Sequence, residues 1–176
     1  MASTKEYLDF VLEQLSELDE VSSRAMIKIL FICHGNICRS TMAQYMMEDM
    51  IRKAHAENRF YVDSAATSRE EIGNGVHYGT RRKLAEVGIP CGNHRARQMT
   101  RRDYDEFDYI IGMDDENMYY MKRIAGGDPE GKIHLLLEYA GLDRDIADPW
   151  YTGNFDDTYE DLKIGLKAFS KEIGLR

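Results

Sequence analysis

Residues 27–52, IKILFICHGNICRSTMAQYMMEDMIR, join an apolar run, a polar loop and an amphipathic pattern in direct succession. The apolar run at 27–32 is short and rich in β-branched side chains, which predicts a strand buried on both faces. From Ser40 to about Arg52, methionines recur on one side at helical spacing, which predicts a helix. A buried strand followed by a loop and a helix is typical of a parallel α/β sheet.

The same alternation continues to the end of the chain. Further strands are predicted at 59–65, 107–112 and 132–137, and further helices at 80–87, 114–124 and 156–172. Strands separated by helices predict an α/β fold of three layers, with a four-stranded parallel sheet covered by helices on both faces. In such a sheet we expect the ligand site beyond the carboxyl ends of the strands, at a switch point.

An extra helix is predicted at 3–19, ahead of the first strand. Ser3 and Glu6 have the spacing of a capping box, and apolar residues then recur at helical period. We therefore expect an N-terminal helical extension at 1–26 and a single α/β domain at 27–176. A lone helix of this length is marginal in water, so it should pack on the domain or fray.

The charge and cysteine content narrow the class of partner and compartment. The 176 residues include 23 Lys and Arg against 31 Asp and Glu, a formal charge of −8, which disfavours nucleic acid and anionic lipid as partners. No apolar run approaches the roughly 18 residues of a membrane span, and the N-terminus lacks a signal-peptide pattern. The three cysteines are an odd, sparse set, which indicates a reducing cytoplasm.

The segment CHGNICRS at 33–40 has the chemistry of an anion cradle. A loop that bends around a helix N-terminus points several backbone N–H groups inward. Gly35 allows close approach of a ligand to the backbone, and Asn36 tolerates a positive φ. Arg39 offers a bidentate fork to two oxyanion oxygens, and the same positive field should stabilise Cys33 as a thiolate nucleophile.

This C-x5-R-S pattern between a strand and a helix resembles the signature of the low-molecular-weight protein tyrosine phosphatases. The resemblance continues through 63–65, 94–98 and 148–151 and covers 27–174, so residues 27–176 would be the phosphatase domain. It implies hydrolysis of protein phosphotyrosine through a phosphocysteine, with no cofactor and no metal. The expected partners are phosphotyrosine proteins, with phosphate or other oxyanions bound in the site.

The resemblance also assigns the reacting groups. Cys33 would be the nucleophile, and Arg39 would bind the phosphoryl oxygens. Asp148 would protonate the leaving oxygen and then activate the water that hydrolyses the intermediate. Trp150 and Tyr151 would form aromatic walls, which suit a phosphotyrosine ring better than a phosphoserine.

The remaining expected site residues surround the nucleophile or support the loop. The substrate-binding loop would comprise His34, Gly35, Asn36, Ile37, Cys38 and Ser40. The Ser40 hydroxyl is suited to donate to the Cys33 thiolate, while Ser64 and His94 resemble the family's support of the loop. The family's second loop cysteine, here Cys38, implies a reversible disulfide with the nucleophile.

Alternatives stay open at several positions. Glu70 stands where the family usually carries a bulky aromatic, which leaves the preference for substrate side chains open. A related group that hydrolyses phosphoarginine has Thr where this chain has Ile37, and we expect Ile37 to favour phosphotyrosine. Thiol-linked arsenate reduction uses a further cysteine pair, whereas this chain has only Cys91 downstream. A binding module without turnover would lack the nucleophile or the acid.

The N-terminal extension carries a separate resemblance. Residues 6–18, EYLDFVLEQLSEL, resemble the opening helix of TfoX-like N-terminal domains, interrupted before the sheet of that domain. We expect a fusion remnant, with a partner-binding helix as the alternative.

Overall fold

The computed structural model describes residues 4–22 and 26–176, and the side chains of the first range up to residue 16. The strands are β1 Ile27–Cys33, β2 Phe60–Ala66, β3 Tyr109–Gly112 and β4 Ile133–Leu135. The α-helices are α1 Thr4–Ser22, α2 Arg39–Lys53, α3 Tyr78–Glu86, α4 Arg101–Glu106, α5 Asp115–Ala125, α6 Pro149–Thr152 and α7 Phe155–Glu172, and a 3₁₀ helix covers Leu136–Ala140. The expected capping residue Ser3 lies outside the described residues, as do residues 23–25 beside the expected domain boundary.

The four strands form one parallel sheet in the order β2-β1-β3-β4. Alternate residues of β1 point into opposite layers. Ile29 and Phe31 pack in a cluster with α2 and α7, whereas Leu30 and Ile32 pack in a cluster with α4 and α5. The predicted three-layer α/β fold is therefore confirmed.

The sheet also positions the end of β1. The chain leaves β1 for β2 on one side and later returns to β3 on the other side, so the strand order reverses between β1 and β3. A crevice forms outside the carboxyl ends of parallel strands at such a reversal. Cys33 is the last residue of β1, which places its thiol at this crevice.

Several predicted boundaries were wrong, each for a local reason. The strand predicted at 132–137 ends at Leu135, because Leu136 and Leu137 are buried in a 3₁₀ turn and not paired in the sheet. Helix α3 begins before the predicted residue 80, because His77 Nδ1 accepts a hydrogen bond from Gly79 N (3.0 Å) and caps it. Helices α4 and α6 were not predicted, since six and four residues are too short to show a helical period.

Helix α1 contributes little to the core among the side chains that the structure describes. Tyr7, Leu8, Phe10, Leu12 and Leu15 are each more than half exposed. The helix runs to Ser22, three residues beyond its predicted end. Within the described ranges, no helix is both long enough and apolar enough to cross a membrane.

We predict that Gly165→Ala destabilises the fold. Gly165 lies where α7 meets the 3₁₀ helix, and a Cβ there would come within 2.5 Å of Cγ of the fully buried Leu136. Overpacking lowers the free energy of unfolding by about 1–3 kcal/mol, and the better helix propensity of alanine offsets about 1 kcal/mol of this loss. Urea unfolding should show a net loss of free energy of unfolding for this variant. The exposed Lys167→Ala, also in α7, is the control, and equal or higher stability of Gly165→Ala would contradict the packing argument.

Candidate active site

A cavity of about 90 Å³ opens at the carboxyl end of β1. Its wall combines the loop after β1, the loop after β2 and the start of α6. The lining residues are Cys33, His34, Gly35, Ile37, Cys38, Glu70, Glu71, Asp148, Trp150 and Tyr151. Eight of these ten are residues that the sequence had singled out as site candidates, and the other two are Glu70 and Glu71.

The Cys33 sulfur lies among groups that stabilise negative charge. The backbone N–H of Asn36 donates to Sγ (3.3 Å), and the Ser40 hydroxyl lies 3.0 Å from Sγ. Asn36 adopts φ 59°, a left-handed conformation that turns this N–H back toward the end of β1. Hydrogen bonds to a charged acceptor are stronger than neutral ones, so both contacts favour a thiolate.

The Asn36 side chain organises the loop from inside the protein. Its Nδ2 donates to Ser40 Oγ and to Ser64 Oγ, at 2.9 Å each. Its Oδ1 accepts from His94 Nε2 (2.8 Å) and from the backbone N–H of Arg97 (3.2 Å). Because Ser40 Oγ accepts from Asn36, its own hydrogen is free to point at Cys33.

Ser40 is therefore held by the loop and does not cap the helix. The N-cap of α2 is Cys38, and Ser40 is the second helical residue. Ser64 in turn donates to Gln44 Oε1 (2.5 Å), so the support reaches from β2 to α2. Gln44 was missed by the sequence analysis, because a glutamine on a helix carries no signal of its partner.

Arg39 is buried behind the loop, with 2% of its side chain exposed. Its Nη1 donates to Asp114 Oδ2 (2.6 Å) and to the carbonyl of Ile146 (2.9 Å), and its Nη2 donates to Asp148 Oδ2 (3.4 Å). Burial works against the charged form, but the negative charges of Cys33, Asp114 and Asp148 outweigh it and raise the pKa of Arg39. The guanidinium is therefore a fixed cation next to a cavity-lining carboxylate.

Asp114 is a site residue that the sequence analysis missed. It follows β3 and caps α5 through Asn117 N, and its second carboxylate oxygen binds Arg39. Its position supplied a usable signal, because an acidic residue just beyond a central strand lies at the same sheet edge as Cys33. The ion pair between Asp114 and Arg39 joins residues 75 positions apart in the chain, so no local sequence pattern predicts it.

Asp148 caps the short helix α6 at the cavity. Its Oδ1 accepts from Trp150 N (3.0 Å), while Oδ2 faces Arg39. Trp150 and Tyr151 follow in α6 and stand at the cavity mouth, 57% and 82% exposed. The carboxylate and both aromatic rings thus come from one rigid turn that begins with Pro149 at its first position.

The second cysteine of the loop, Cys38, is buried in the protein. Burial, and then the negative charge of Cys33, raise the pKa of the Cys38 thiol far above its ordinary value. Cys38 is therefore protonated at neutral pH. Cys91 lies outside the cavity and contacts Arg81 Nη1 at 3.6 Å.

The fold and the site define a class of protein. A sulfur nucleophile lies at the end of a parallel strand, and the loop that surrounds it leads into a helix that begins at an arginine. A carboxylate lines the same cavity. Together these groups form a thiol-dependent phosphoryl-transfer site. The family model described as low molecular weight phosphotyrosine protein phosphatase matches residues 28–175. The chain belongs to this family.

Individual relatives agree over most of the chain. The low molecular weight protein-tyrosine-phosphatase YfkJ of Bacillus subtilis is 42% identical over 151 residues, covering 84% of this chain and 96% of the relative. The low molecular weight phosphotyrosine protein phosphatase of Gallus gallus is 39% identical, covering 80% and 92%. The crystal structure of YfkJ superposes with a TM-score of 0.83 at 38% identity, covering 86% of this chain and 97% of that one.

We predict that His94 makes the stability of the fold depend on pH. Burial lowers the pKa of His94 below its ordinary value of 6.5, so the unfolded chain takes up this proton more readily than the folded one. Stability present above pH 6.5 should be lost as pH falls through the lower folded pKa. In urea unfolding at pH 7.5, 6.5 and 5.5, His94→Gln should lose less stability on acidification than the unmodified chain. An identical pH dependence in both proteins would contradict this assignment.

Proposed function

We propose that the cavity at Cys33 is where this protein tyrosine phosphatase hydrolyses protein phosphotyrosine, through a phosphocysteine intermediate. The observation that carries the proposal is the set of groups around one sulfur. Cys33 Sγ has a backbone N–H and a hydroxyl as neighbours, and Asp148 lines the same cavity. This combination supplies a nucleophile, stabilisation of its charge and a proton donor within one small volume.

The reaction would run in two displacements. In the first, Cys33 Sγ attacks phosphorus, the S–P bond forms, and the bond to the tyrosyl oxygen breaks as Asp148 donates its proton to that oxygen. In the second, Asp148 takes a proton from water, the new O–P bond forms and the S–P bond breaks. Ser40 would stabilise the departing thiolate, and the N–H groups of the loop would neutralise the phosphoryl oxygens.

Arg39 would couple phosphate binding to the state of Asp148. Its contact with Asp114 is short (2.6 Å), and its contact with Asp148 is long (3.4 Å). The weaker contact is the one that an arriving phosphoryl oxygen would replace, since the guanidinium can keep Asp114 while Nη2 turns to the substrate. Asp148 would then lose its cation and face a dianion, which favours the protonated carboxyl that the first step needs.

The cavity walls support phosphotyrosine over the alternatives. Trp150 and Tyr151 offer exposed aromatic surface at the mouth, which suits a flat phenyl ring. Ile37, which we expect to favour phosphotyrosine over phosphoarginine, also lines the cavity. Arsenate reduction of the thiol-linked type needs a further pair of cysteines near the nucleophile. Cys33 and Cys38 line the cavity, whereas Cys91 does not.

The chain would divide into an N-terminal extension at 1–26 and the phosphatase domain at 27–176. The family match begins at residue 28, and the apolar side chains described in α1 remain largely exposed. The resemblance of α1 to TfoX-like domains stays a prediction. The sparse cysteines favour the cytoplasm as the compartment.

We predict that two variants separate the nucleophile from the acid. Cys33→Ser should abolish release of phenol from phenyl phosphate and of p-nitrophenol from its phosphate, because the hydroxyl is a far weaker nucleophile. Asp148→Asn should slow phenyl phosphate hydrolysis by roughly 10²–10⁴-fold, the usual contribution of a general acid. The loss should be much smaller for p-nitrophenyl phosphate, whose leaving group needs no proton.

The control for this pair is Asp105→Asn, which neutralises an exposed carboxylate in α4 and should change neither rate. Equal losses with the two esters would remove Asp148 from the role of acid. Undiminished turnover by Cys33→Ser would overturn the mechanism. Faster release of phosphate from phosphoarginine than from phosphotyrosine peptides would reverse the choice of substrate.

We predict that deletion of residues 1–25 leaves catalysis intact. The described side chains of α1 bury little surface, so kcat/KM on a phosphotyrosine peptide should stay within about twofold of the full chain. The measurement is steady-state turnover, together with circular dichroism of both proteins. A large drop in kcat/KM with the fold retained would show instead that the extension acts on the site.

A further inference from the structure

The mouth of the cavity is acidic. Glu70 and Glu71 line it from the loop after β2, and among the described residues that form its wall none is Lys or Arg. The buried Arg39 stands behind the wall, and Arg69 is tied to Gln98 through its Nε (3.0 Å). A site for a phosphate dianion therefore carries extra negative charge where the rest of the substrate must pass.

The side chains of Glu70 and Glu71 lie against the loop after β1. Glu70 Oε2 lies 2.9 Å from His34 Nε2, and Glu116 Oε1 lies 3.8 Å from the other ring nitrogen of His34. Glu71 accepts from Asn74 Nδ2 (2.6 Å) and packs so closely that a Cβ on Gly35 would come within 3.2 Å of its Cγ.

The net charge at the mouth is negative whether the His34 imidazole is neutral or protonated. Glu70, Glu71 and Glu116 contribute three negative charges, whereas His34 contributes at most one positive charge and the neighbouring Arg69, which donates to the neutral Gln98, contributes one more. The Glu70 side chain is 71% exposed, so its carboxylate faces the solvent in which neighbouring residues of a substrate would lie.

The size of the cavity determines which part of a substrate meets this charge. A volume of about 90 Å³ accepts the phosphoryl group and leaves the flanking residues of a polypeptide outside. Those residues must therefore lie across the mouth, beside Glu70. Complementary charges across such a contact favour association, whereas like charges oppose it.

We propose that Glu70 and Glu71 make the enzyme select phosphotyrosine sites flanked by lysine or arginine. This inference rests on the proposed phosphotyrosine hydrolysis and names the class of sequence that the site would accept. The two glutamates attract ammonium or guanidinium groups beside the phosphotyrosine and repel aspartate and glutamate. The contact at the mouth therefore depends on the charge of the residues beside the phosphotyrosine.

The test compares peptides that differ only at the two residues adjoining phosphotyrosine, which are Lys, Ala or Glu. At low ionic strength, kcat/KM for phosphate release should fall in that order. The Lys peptide should exceed the Glu peptide by roughly five- to tenfold, a size expected of exposed charge pairs. Added salt should shrink the ratio, because the charges are exposed to solvent.

Two substitutions at one position isolate the charge. Glu70→Gln keeps an oxygen that can accept from His34 and should lower the ratio of Lys to Glu peptide about two- to threefold, the effect of one exposed charge. Glu70→Lys should bring the ratio to one or below. Glu57→Lys makes the same change of net charge at an exposed position just before β2, at the opposite edge of the sheet, and should retain the original ratio.

The outcomes separate this inference from the proposed function. Equal kcat/KM on the three peptides, or a ratio that Glu70→Lys leaves unchanged, would overturn the charge selection alone, provided that phosphotyrosine is hydrolysed. Preference for the Glu peptide would overturn it as well. No phosphate release from any of the peptides, with p-nitrophenyl phosphate as the reference substrate, would refute the proposed function and the inference together.

Discussion

The left-handed backbone of Asn36 is the constraint on which the site depends. At φ 59° its N–H turns toward Cys33, and its fully buried side chain uses both amide hydrogens and its oxygen on four different partners. A buried amide that is satisfied on every side has few alternative orientations, so it fixes the loop around the sulfur. The sulfur environment is thus built by the interior of the protein before any phosphate arrives.

The sequence predicted the layers of the fold and most of the cavity wall, because those features depend on residues that are close together in the chain. A buried strand, a loop with Gly35 and Asn36, and a helix starting at Arg39 are neighbours in the chain. It did not predict the bond between Arg39 and Asp114, which joins residues 75 positions apart. Nor did it predict α6, since the four residues that follow the capping Asp148 are too few to show a helical period.

Arg39 shows how a buried charge serves two purposes. Burial would disfavour its charged form, and three negative neighbours restore it. Such a pair adds little net stability, because desolvation offsets most of the Coulomb attraction. Its value lies in position, since Asp114 and the Ile146 carbonyl hold Nη1 in place while Nη2 would exchange Asp148 for a phosphoryl oxygen.

The chain has a formal charge of −8 and yet contains a phosphate site. The distance between charged groups and the ligand therefore matters more for binding than the total charge of the chain. The groups that would hold the dianion act at contact distance: backbone N–H groups, the Ser40 hydroxyl and a buried guanidinium. The carboxylates of Glu70 and Glu71 act farther out, through solvent, where their effect is weaker and screened by salt. The inner groups can therefore bind any phosphoryl group, while the outer ones discriminate among the chains that carry it.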